Sequence, residues 1–223
     1  MERDTPISRH LKQIAALRTS NVSVSAGRQQ ARAQDLMRAK LAADQMRLKD
    51  TRSMARKIEI KREVLPDYAP YIAQALSSDE GGQDDVLVTV MVWMIDAGDW
   101  RGALDVAAYA IRHGLQMPAT FERTLAATVA EGFADAQGVD ADMLAEVIAL
   151  VAPFDMVDQI KAKLNKAYGL AIEASNPVAA LDALSVAFEL NNRIGVKRDI
   201  ARIEAALAAR APLSDSAGSE SDE

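Results

Sequence analysis

Four aspartates that flank a Val-rich segment form the acidic group whose residue type and spacing could support catalysis. Asp84 and Asp85 precede residues 86–95, and Asp96 and Asp99 follow them. Nucleases hold two Mg²⁺ ions about 4 Å apart between clustered carboxylates, so an Mg²⁺-dependent endonuclease is one hypothesis. A helix over the intervening segment would place the two pairs roughly 15 Å or more apart. One chain could not then build a two-metal site from both pairs, and helix caps with a solvated loop are the favoured interpretation.

The sequence lacks the residues that other catalytic and metal-binding chemistries require. His10 and His113 are the two histidines, and they lie in different regions with no zinc-ligand spacing. The sequence has no GxxxxGK[ST] motif for ATP hydrolysis, no nucleophile elbow and no dinucleotide-binding glycine pattern. It also has no cysteine, which excludes disulfides, thiolate metal sites and cysteine nucleophiles. We therefore expect a non-catalytic chain without a metal or cofactor, and Mg²⁺ enters only under the endonuclease hypothesis.

Basic side chains are concentrated in the first part of the chain. Residues 1–62 contain 15 Lys and Arg against 6 Asp and Glu, whereas the remainder contains 11 against 26. A net charge of −6 thus conceals a basic arm of +9 on a body of −15. Such an arm favours phosphate binding, although charges on an exposed helix can also be merely solvated. Aromatic side chains are absent from the arm, which disfavours stacking on single strands. The predicted DNA-binding residues are Arg28, Arg32, Arg38, Lys40, Arg47, Lys49, Arg52, Arg56, Lys57, Lys61 and Arg62.

The composition predicts an all-α protein, because Ala, Leu and Met are strong helix formers and aromatics make up only 4% of residues. From about Ala26 to Glu63 there is no proline, which predicts one long basic helix ended by Pro66. Its apolar stripe is a weak coiled-coil seam, interrupted at Asp44 and Thr51. Four residues of this stripe are predicted to mediate oligomerisation: Met37, Leu41, Leu48 and Ile58. At about 100° per residue, one narrow basic sector lies beside it: Arg38, Lys49, Arg52 and Arg56.

The body is predicted to consist of antiparallel helix pairs. Residues 64–72 contain two prolines and two tyrosines, and we interpret them as a turn. Further on, Asp84 or Asp85 is expected to cap a buried helix, for which a strand is the local alternative. The frame A-L-D-x-x-x-x-A occurs at 103–110 and again at 180–187, which resembles the second helix of a tetratricopeptide repeat. The predicted organisation is a basic DNA-binding and oligomerisation arm (1–63), a hinge (64–80), a helical repeat-like body (81–210) and a disordered acidic tail (211–223).

Specific strings in the sequence resemble one known family, the small terminase subunits of temperate tailed phages. Members are also labelled "terminase, endonuclease subunit". The resemblance spans roughly residues 36–118 and 158–208. The strings that carry it are KLAADQ (40–45), KREVLP (61–66), GGQDDVLVTVMVWMIDAGDWRGALDVAAYAIRHGLQMP (81–118) and GVKRDIARIEAAL (195–207).

The resemblance implies a role in viral DNA packaging. Small terminase subunits recognise the packaging, or cohesive-end, site on concatemeric double-stranded phage DNA and assemble as homo-oligomers, often rings. They recruit a large subunit that carries the ATPase and, in most systems, the nuclease. We therefore expect a soluble subunit in the host cytoplasm that makes no membrane contact. Some relatives end in a basic tail, whereas this chain ends in an acidic one, so the N-terminal arm must carry more of the DNA binding.

Two alternatives remain open. In the first alternative, the chain is an Mg²⁺-dependent endonuclease subunit that cuts concatemeric phage DNA. In the second, it is a helical-repeat adaptor that binds only protein. Nicking by the purified chain would support the first, and failure to retain DNA even at low salt would support the second.

Overall fold

The computed structural model describes residues 32–210 of the chain. Arg28 and the predicted acidic tail lie outside these residues. Within them the structure is helical and contains no strand, which confirms the all-α prediction. The described chain divides into two compact units, an N-terminal unit that ends at Ser78 and a C-terminal unit that begins at Asp79. The helices are α1 (residues 32–50), α2 (Met54–Ser78), α3 (Asp85–Ala97), α4 (Trp100–Arg112), α5 (Leu125–Asp135), α6 (Ala141–Val151), α7 (Asp158–Ile172), α8 (Pro177–Leu190) and α9 (Lys197–Arg210).

The N-terminal unit contains a helical hairpin rather than one long helix, so the prediction of a continuous helix is wrong. The chain leaves the helix at residues 51–53 and returns antiparallel to α1. The Thr51 hydroxyl donates to the carbonyl of Arg47 at the end of α1. The Ser53 hydroxyl accepts from the backbone N–H of Arg56, which makes Ser53 the N-cap of α2. Two hydroxyl side chains thus satisfy backbone groups on either side of the turn.

The predicted turn at residues 64–72 is also wrong, because α2 passes through Pro66 and Pro70 without a break. A proline inside a helix removes one backbone hydrogen bond and leaves a carbonyl one turn earlier without its donor. Both prolines are exposed, whereas Val64 and Tyr68 are buried on the other side of α2. The freed carbonyls therefore lie on the side of the helix where water can solvate them.

In the C-terminal unit, α3 is buried almost all round and α4 returns antiparallel to it. Gly98 ends α3 with a left-handed φ of 88°, which glycine adopts without strain. Asp84 caps α3 by accepting from the N–H groups of Val86 and Leu87 at 3.0 and 3.1 Å. Asp99 caps α4 by accepting from the N–H of Gly102 at 3.2 Å. These caps at both ends of the Val-rich segment confirm that it is a helix.

The residues that open the C-terminal unit are tied to the last turn of α4. The backbone N–H of Gly81 donates to the Tyr109 hydroxyl at 3.1 Å. The Asp79 carboxylate contacts His113 Nε2 at 2.7 Å and also accepts from Arg112. These two contacts, that of His113 first, hold the pKa of Asp79 below its usual value. The segment that precedes α3 is therefore fixed to its own unit.

Among the remaining helices, α7 packs most extensively against α8 and next most extensively against α5, which is not its neighbour in sequence. The two copies of the A-L-D-x-x-x-x-A frame fall on α4 and α8, and the shared alanines of both copies are fully buried (Ala103, Ala110, Ala180 and Ala187). Small side chains at these positions let neighbouring helices approach closely. The likeness to tetratricopeptide repeats stays a prediction.

Gly169 lies on α7 in tight contact with α8, and its replacement by alanine should destabilise the C-terminal unit. An added Cβ would lie 2.8 Å from Leu184 Cγ and 3.1 Å from the Ala180 carbonyl oxygen. Overpacking costs about 1–3 kcal/mol, and the better helix propensity of alanine returns about 1 kcal/mol. We expect a net loss of up to about 2 kcal/mol in the free energy of unfolding, measured by urea denaturation.

A matched control comes from a second glycine inside a helix. At Gly132 in α5, an added Cβ would meet only the side chain of Ile95, at 3.2 Å. The Ile95 side chain can move by a few tenths of an ångström, whereas the Ala180 backbone carbonyl that faces Gly169 cannot. Gly132→Ala should therefore be near neutral, and equal losses in both variants would contradict the close packing of α7 on α8.

Candidate nucleic-acid interface

The basic residues near the middle of the hairpin are engaged in ion pairs that join α1 to α2. Lys40 Nζ lies 3.1 Å from Asp44 Oδ2 and 2.9 Å from Asp67 Oδ2, and it sits 5.0 Å from the centre of the Tyr68 ring. The hydrogen bond to Asp67 is the main cause that raises the pKa of Lys40. Lys40 is therefore a structural cation of the hairpin and less available to a phosphate than we expected from the sequence.

A buried hydrogen bond under Lys40 was not identified from the sequence. Tyr68 is fully buried, and its hydroxyl donates to Asp44 Oδ2 at 2.7 Å. Burial, followed by this hydrogen bond, raises the pKa of the Tyr68 phenol. The signal was present in the sequence, because Asp44 interrupts the apolar stripe of α1. Its position marks a polar contact between the two helices rather than a weak coiled-coil seam.

Nearer the turn, the Glu63 carboxylate forms ion pairs with two arginines. Arg47 Nη2 lies 2.5 Å and Arg56 Nη1 3.2 Å from its carboxylate oxygens, and Arg56 also contacts Glu59 at 2.7 Å. The hydrogen bond from Arg47 is the main cause that lowers the pKa of Glu63. These pairs are exposed, so each contributes little to stability. Each of the two guanidiniums has donors beyond those used in its pairs, so these arginines can still reach a phosphate.

Three predicted DNA-binding residues at the turn make no ion pair with any residue of the described chain. Lys49 lies in the last turn of α1, Arg52 lies in the turn between the helices, and Lys57 is in the first turn of α2. Residues 47–57 contain five basic side chains against the single acidic Asp50. The turn is therefore the most basic part of the described N-terminal unit, and we call residues 47–57 the hairpin tip.

The remaining predicted DNA-binding residues lie along the two helices. Arg38 is 3.6 Å from Asp35, and Arg32 and Arg62 are exposed, whereas Lys61 is half-buried. The predicted narrow basic sector does not form, because the turn at 51–53 separates its four residues into two on α1, one in the turn and one on α2. The sequence predicted a basic edge along one helix, whereas the structure has a basic turn between two helices.

Two of the four residues predicted for oligomerisation are buried within the hairpin. Leu41 and Leu48 are buried on the side of α1 that carries Asp44, and Met37 and Ile58 are half-buried. The Asp44–Tyr68 hydrogen bond shows that this side faces α2. The apolar stripe of α1 is therefore occupied within the chain, and two of its four residues have little surface left for another subunit.

The four aspartates considered for catalysis are placed along α3. Asp84 and Asp99 act as helix caps, Asp85 accepts from Gln83 Nε2 at 2.6 Å, and Asp96 is exposed. The 13 residues of α3 put roughly 20 Å between its ends. Within the part of the chain that the structure describes, no three acidic or histidine side chains are arranged to hold a metal ion.

Comparison with known proteins places this helical protein in a family. The model of the phage small terminase subunit matches residues 38–164, more than half of the chain and parts of both units. The chain therefore belongs to the phage small terminase subunit family, whose members serve in phage DNA-packaging terminases.

A curated relative agrees with this assignment. The chain is 37% identical over 209 residues to "Terminase, endonuclease subunit" of Escherichia phage P2, and the alignment covers 90% of this chain and 84% of the relative. No solved structure matches the chain. Among the helices of residues 32–210, none is long and apolar enough to cross a membrane.

Proposed function

We propose that this chain is the DNA-recognition subunit of its terminase and that it contacts the packaging, or cohesive-end, site through the hairpin tip. The observation that carries the proposal is the set of three cations at the tip, Lys49, Arg52 and Lys57, that have no ion-pair partner in the described chain. Two other cations of the hairpin, Lys40 and Arg47, form ion pairs that join its two helices. The tip therefore presents phosphate-binding groups on a preformed support.

The two units carry opposite charge, which supports a division of labour. Residues 32–78 contain 10 basic and 6 acidic side chains, whereas residues 79–210 contain 11 basic and 20 acidic ones. An acidic surface repels the DNA backbone. We assign DNA contact to the N-terminal unit and assembly with the ATPase large subunit to the C-terminal unit.

Salt dependence of DNA binding tests the proposal. Each phosphate contact contributes about −0.9 to the slope of log K against log salt for duplex DNA, so three tip contacts predict a slope of about −2.7 or steeper. Fluorescence anisotropy with a labelled duplex that carries the cohesive-end site, from 50 to about 300 mM salt, gives the slope. Absence of binding at the lowest salt would contradict the proposal and favour the protein-only adaptor.

The name of the relative from phage P2 keeps an endonuclease as the second candidate. Purified chain with Mg²⁺ and cohesive-end duplex, without the large subunit, would then nick the DNA. Asp85→Asn would abolish nicking, and Asp135→Asn, a change in another helix, would not. The separation of the acidic pairs along α3 favours a chain that does not cut by itself.

A further inference from the structure

The outer side of α1 carries an apolar stripe that the contact with α2 leaves uncovered. Four exposed residues form this outer stripe at three-four-three spacing: Leu36, Ala39, Ala43 and Met46. Leu36 is 65% and Met46 68% exposed, although both are large hydrophobic side chains. At 100° per residue the stripe is centred roughly 150° from the buried side of α1, so it faces away from α2. An exposed apolar patch of this kind indicates that another segment covers it.

We propose that residues 7–19 of the same chain form a helix that docks on the outer stripe, antiparallel to α1. These residues lie outside the part of the chain that the structure describes. In the sequence, Thr5 suits the N-cap and Pro6 the first position of such a helix. Its apolar residues recur at helical spacing: Ile7, Leu11, Ile14 and Leu17. Both apolar stripes extend over 11 residues, 7–17 and 36–46, so each can cover the other over its full length.

Side-chain sizes along the two stripes are complementary in this arrangement. Full antiparallel overlap places Leu11 against Ala43 near the middle of the contact. It likewise places Ile14 against Ala39. Large side chains of residues 7–19 thus meet alanines on α1, and small residues at such a contact let two helices approach closely. The large side chains of the outer stripe lie at its two ends, where they would border the docked helix.

The connection between the segment and α1 favours this occupant over a separate molecule. Residues 20–31 join the two and can span up to about 40 Å, whereas packed helices lie about 8–10 Å apart. Such a tether gives the segment an effective concentration on the order of millimolar at the stripe. An antiparallel helix needs only the return between adjacent helix ends, whereas a parallel one would need the tether to run back along the whole of α1. The antiparallel direction therefore has the shorter path.

Docking would hold α1 between two helices. The contact between Asp44 and Tyr68 lies on its inner side, and the segment would cover the opposite side. Since α1 carries Lys49 of the hairpin tip, the docked segment would also help to fix the support on which the tip is presented. That last consequence rests on the proposed function, whereas the docking itself does not.

Methionine oxidation in the full chain, without DNA, tests whether the outer stripe is covered. Met46 on the stripe and Met54 on α2 are each 68% exposed within the described hairpin, so the two would react alike if nothing docked. We expect hydrogen peroxide to oxidise Met46 about tenfold more slowly than Met54, because the segment must first leave the stripe. The two sulfoxides are measured by peptide mass spectrometry. Equal rates in the unaltered chain would overturn the proposal.

Paired substitutions show whether the segment provides the cover. Leu11→Asp with Ile14→Asp places carboxylates in the contact and should remove the protection of Met46, because unpaired charges resist burial. The matched control, Gln13→Asp with Ala16→Asp, adds two carboxylates at the same spacing away from the apolar side of the segment and should leave the protection in place. Protection that persists in the first variant would mean that something else covers the stripe, which also overturns the proposal.

Disulfide formation tests the direction and the partner, because the native sequence has no cysteine. Ile7→Cys with Met46→Cys should form a disulfide within one chain, seen on non-reducing gels as a monomer without free thiol. Ile7→Cys with Leu36→Cys should form little, because these positions lie roughly 15 Å apart along antiparallel helices. The reverse result, disulfides between chains, or none in either variant would each overturn the proposal. Neither the oxidation nor the disulfide measurement involves DNA, so failure of the proposed function would leave both results unaffected.

Discussion

Replacement of Lys49, Arg52 and Lys57 together by glutamate should weaken DNA binding on the order of 100-fold or more at 0.1 M salt. The three side chains have no ion-pair partner in the described chain, so their removal leaves the contacts between α1 and α2 in place. Each lost phosphate contact should reduce the salt slope by about 0.9, and the reversed charges add repulsion. The measurement is the same anisotropy titration, with the slope as the decisive quantity and circular dichroism as the check on folding.

Two controls separate a local contact from a change in net charge. Lys161, Arg193 and Arg198 of the C-terminal unit, replaced together by glutamate, change the charge equally and should reduce binding only slightly. Arg52→Glu with Lys57→Glu changes two of the three tip cations and should show about two-thirds of the change in slope. If the triple variant of the C-terminal unit lost as much affinity as the tip variant, the assignment of DNA contact to the tip would be wrong.

The tip could not be located from the sequence because the turn that creates it has weak signals. Thr51 and Ser53 are tolerated inside helices, and no glycine or proline interrupts residues 47–57. Their hydroxyls nevertheless satisfy the backbone at both sides of the turn. Pro66 and Pro70 are strong helix-breaking signals, yet α2 continues through both. Helix breaking by proline depends on whether the freed carbonyl is buried, and that depends on packing that the local sequence does not show.

The C-terminal unit was predicted more successfully where local chemistry decides the structure. Asp84 and Asp99 precede helices, and side-chain oxygens there accept backbone N–H groups whatever the tertiary packing. The apolar composition of α3 likewise requires burial in any fold. For the candidate site, the residue types were predictable from charge alone, but their availability was not. Whether a lysine holds the hairpin together or stays free depends on acidic partners 10 to 30 residues away, as at Lys40 and Asp67.

Tyr68→Ala should cause the largest loss of stability of any single change considered in the N-terminal unit. Tyr68 is fully buried, and truncation of a large buried aromatic side chain costs about 3–5 kcal/mol. The change also removes the hydroxyl that donates to Asp44, so this buried carboxylate keeps only its ion pair with Lys40 among the contacts described above. We expect amide hydrogen exchange in α1 and α2 to accelerate by on the order of 100-fold or more, because each 1.4 kcal/mol corresponds to a factor of ten.

Tyr68→Phe separates the contribution of the Tyr68 hydrogen bond from that of its buried ring. Met54→Ala is the control for truncation of an exposed side chain. Tyr68→Phe keeps the ring and removes only the hydrogen bond, so it should cost about 1–2 kcal/mol. Met54 lies in the same helix and is 68% exposed, and its truncation should change stability by less than about 0.5 kcal/mol. If Tyr68→Ala exchanged no faster than Met54→Ala, Tyr68 would not hold α2 against α1. Because the hairpin presents the tip, we also expect Tyr68→Ala to lose DNA affinity although every basic residue remains. That result would show that phosphate binding requires the folded support as well as its charges.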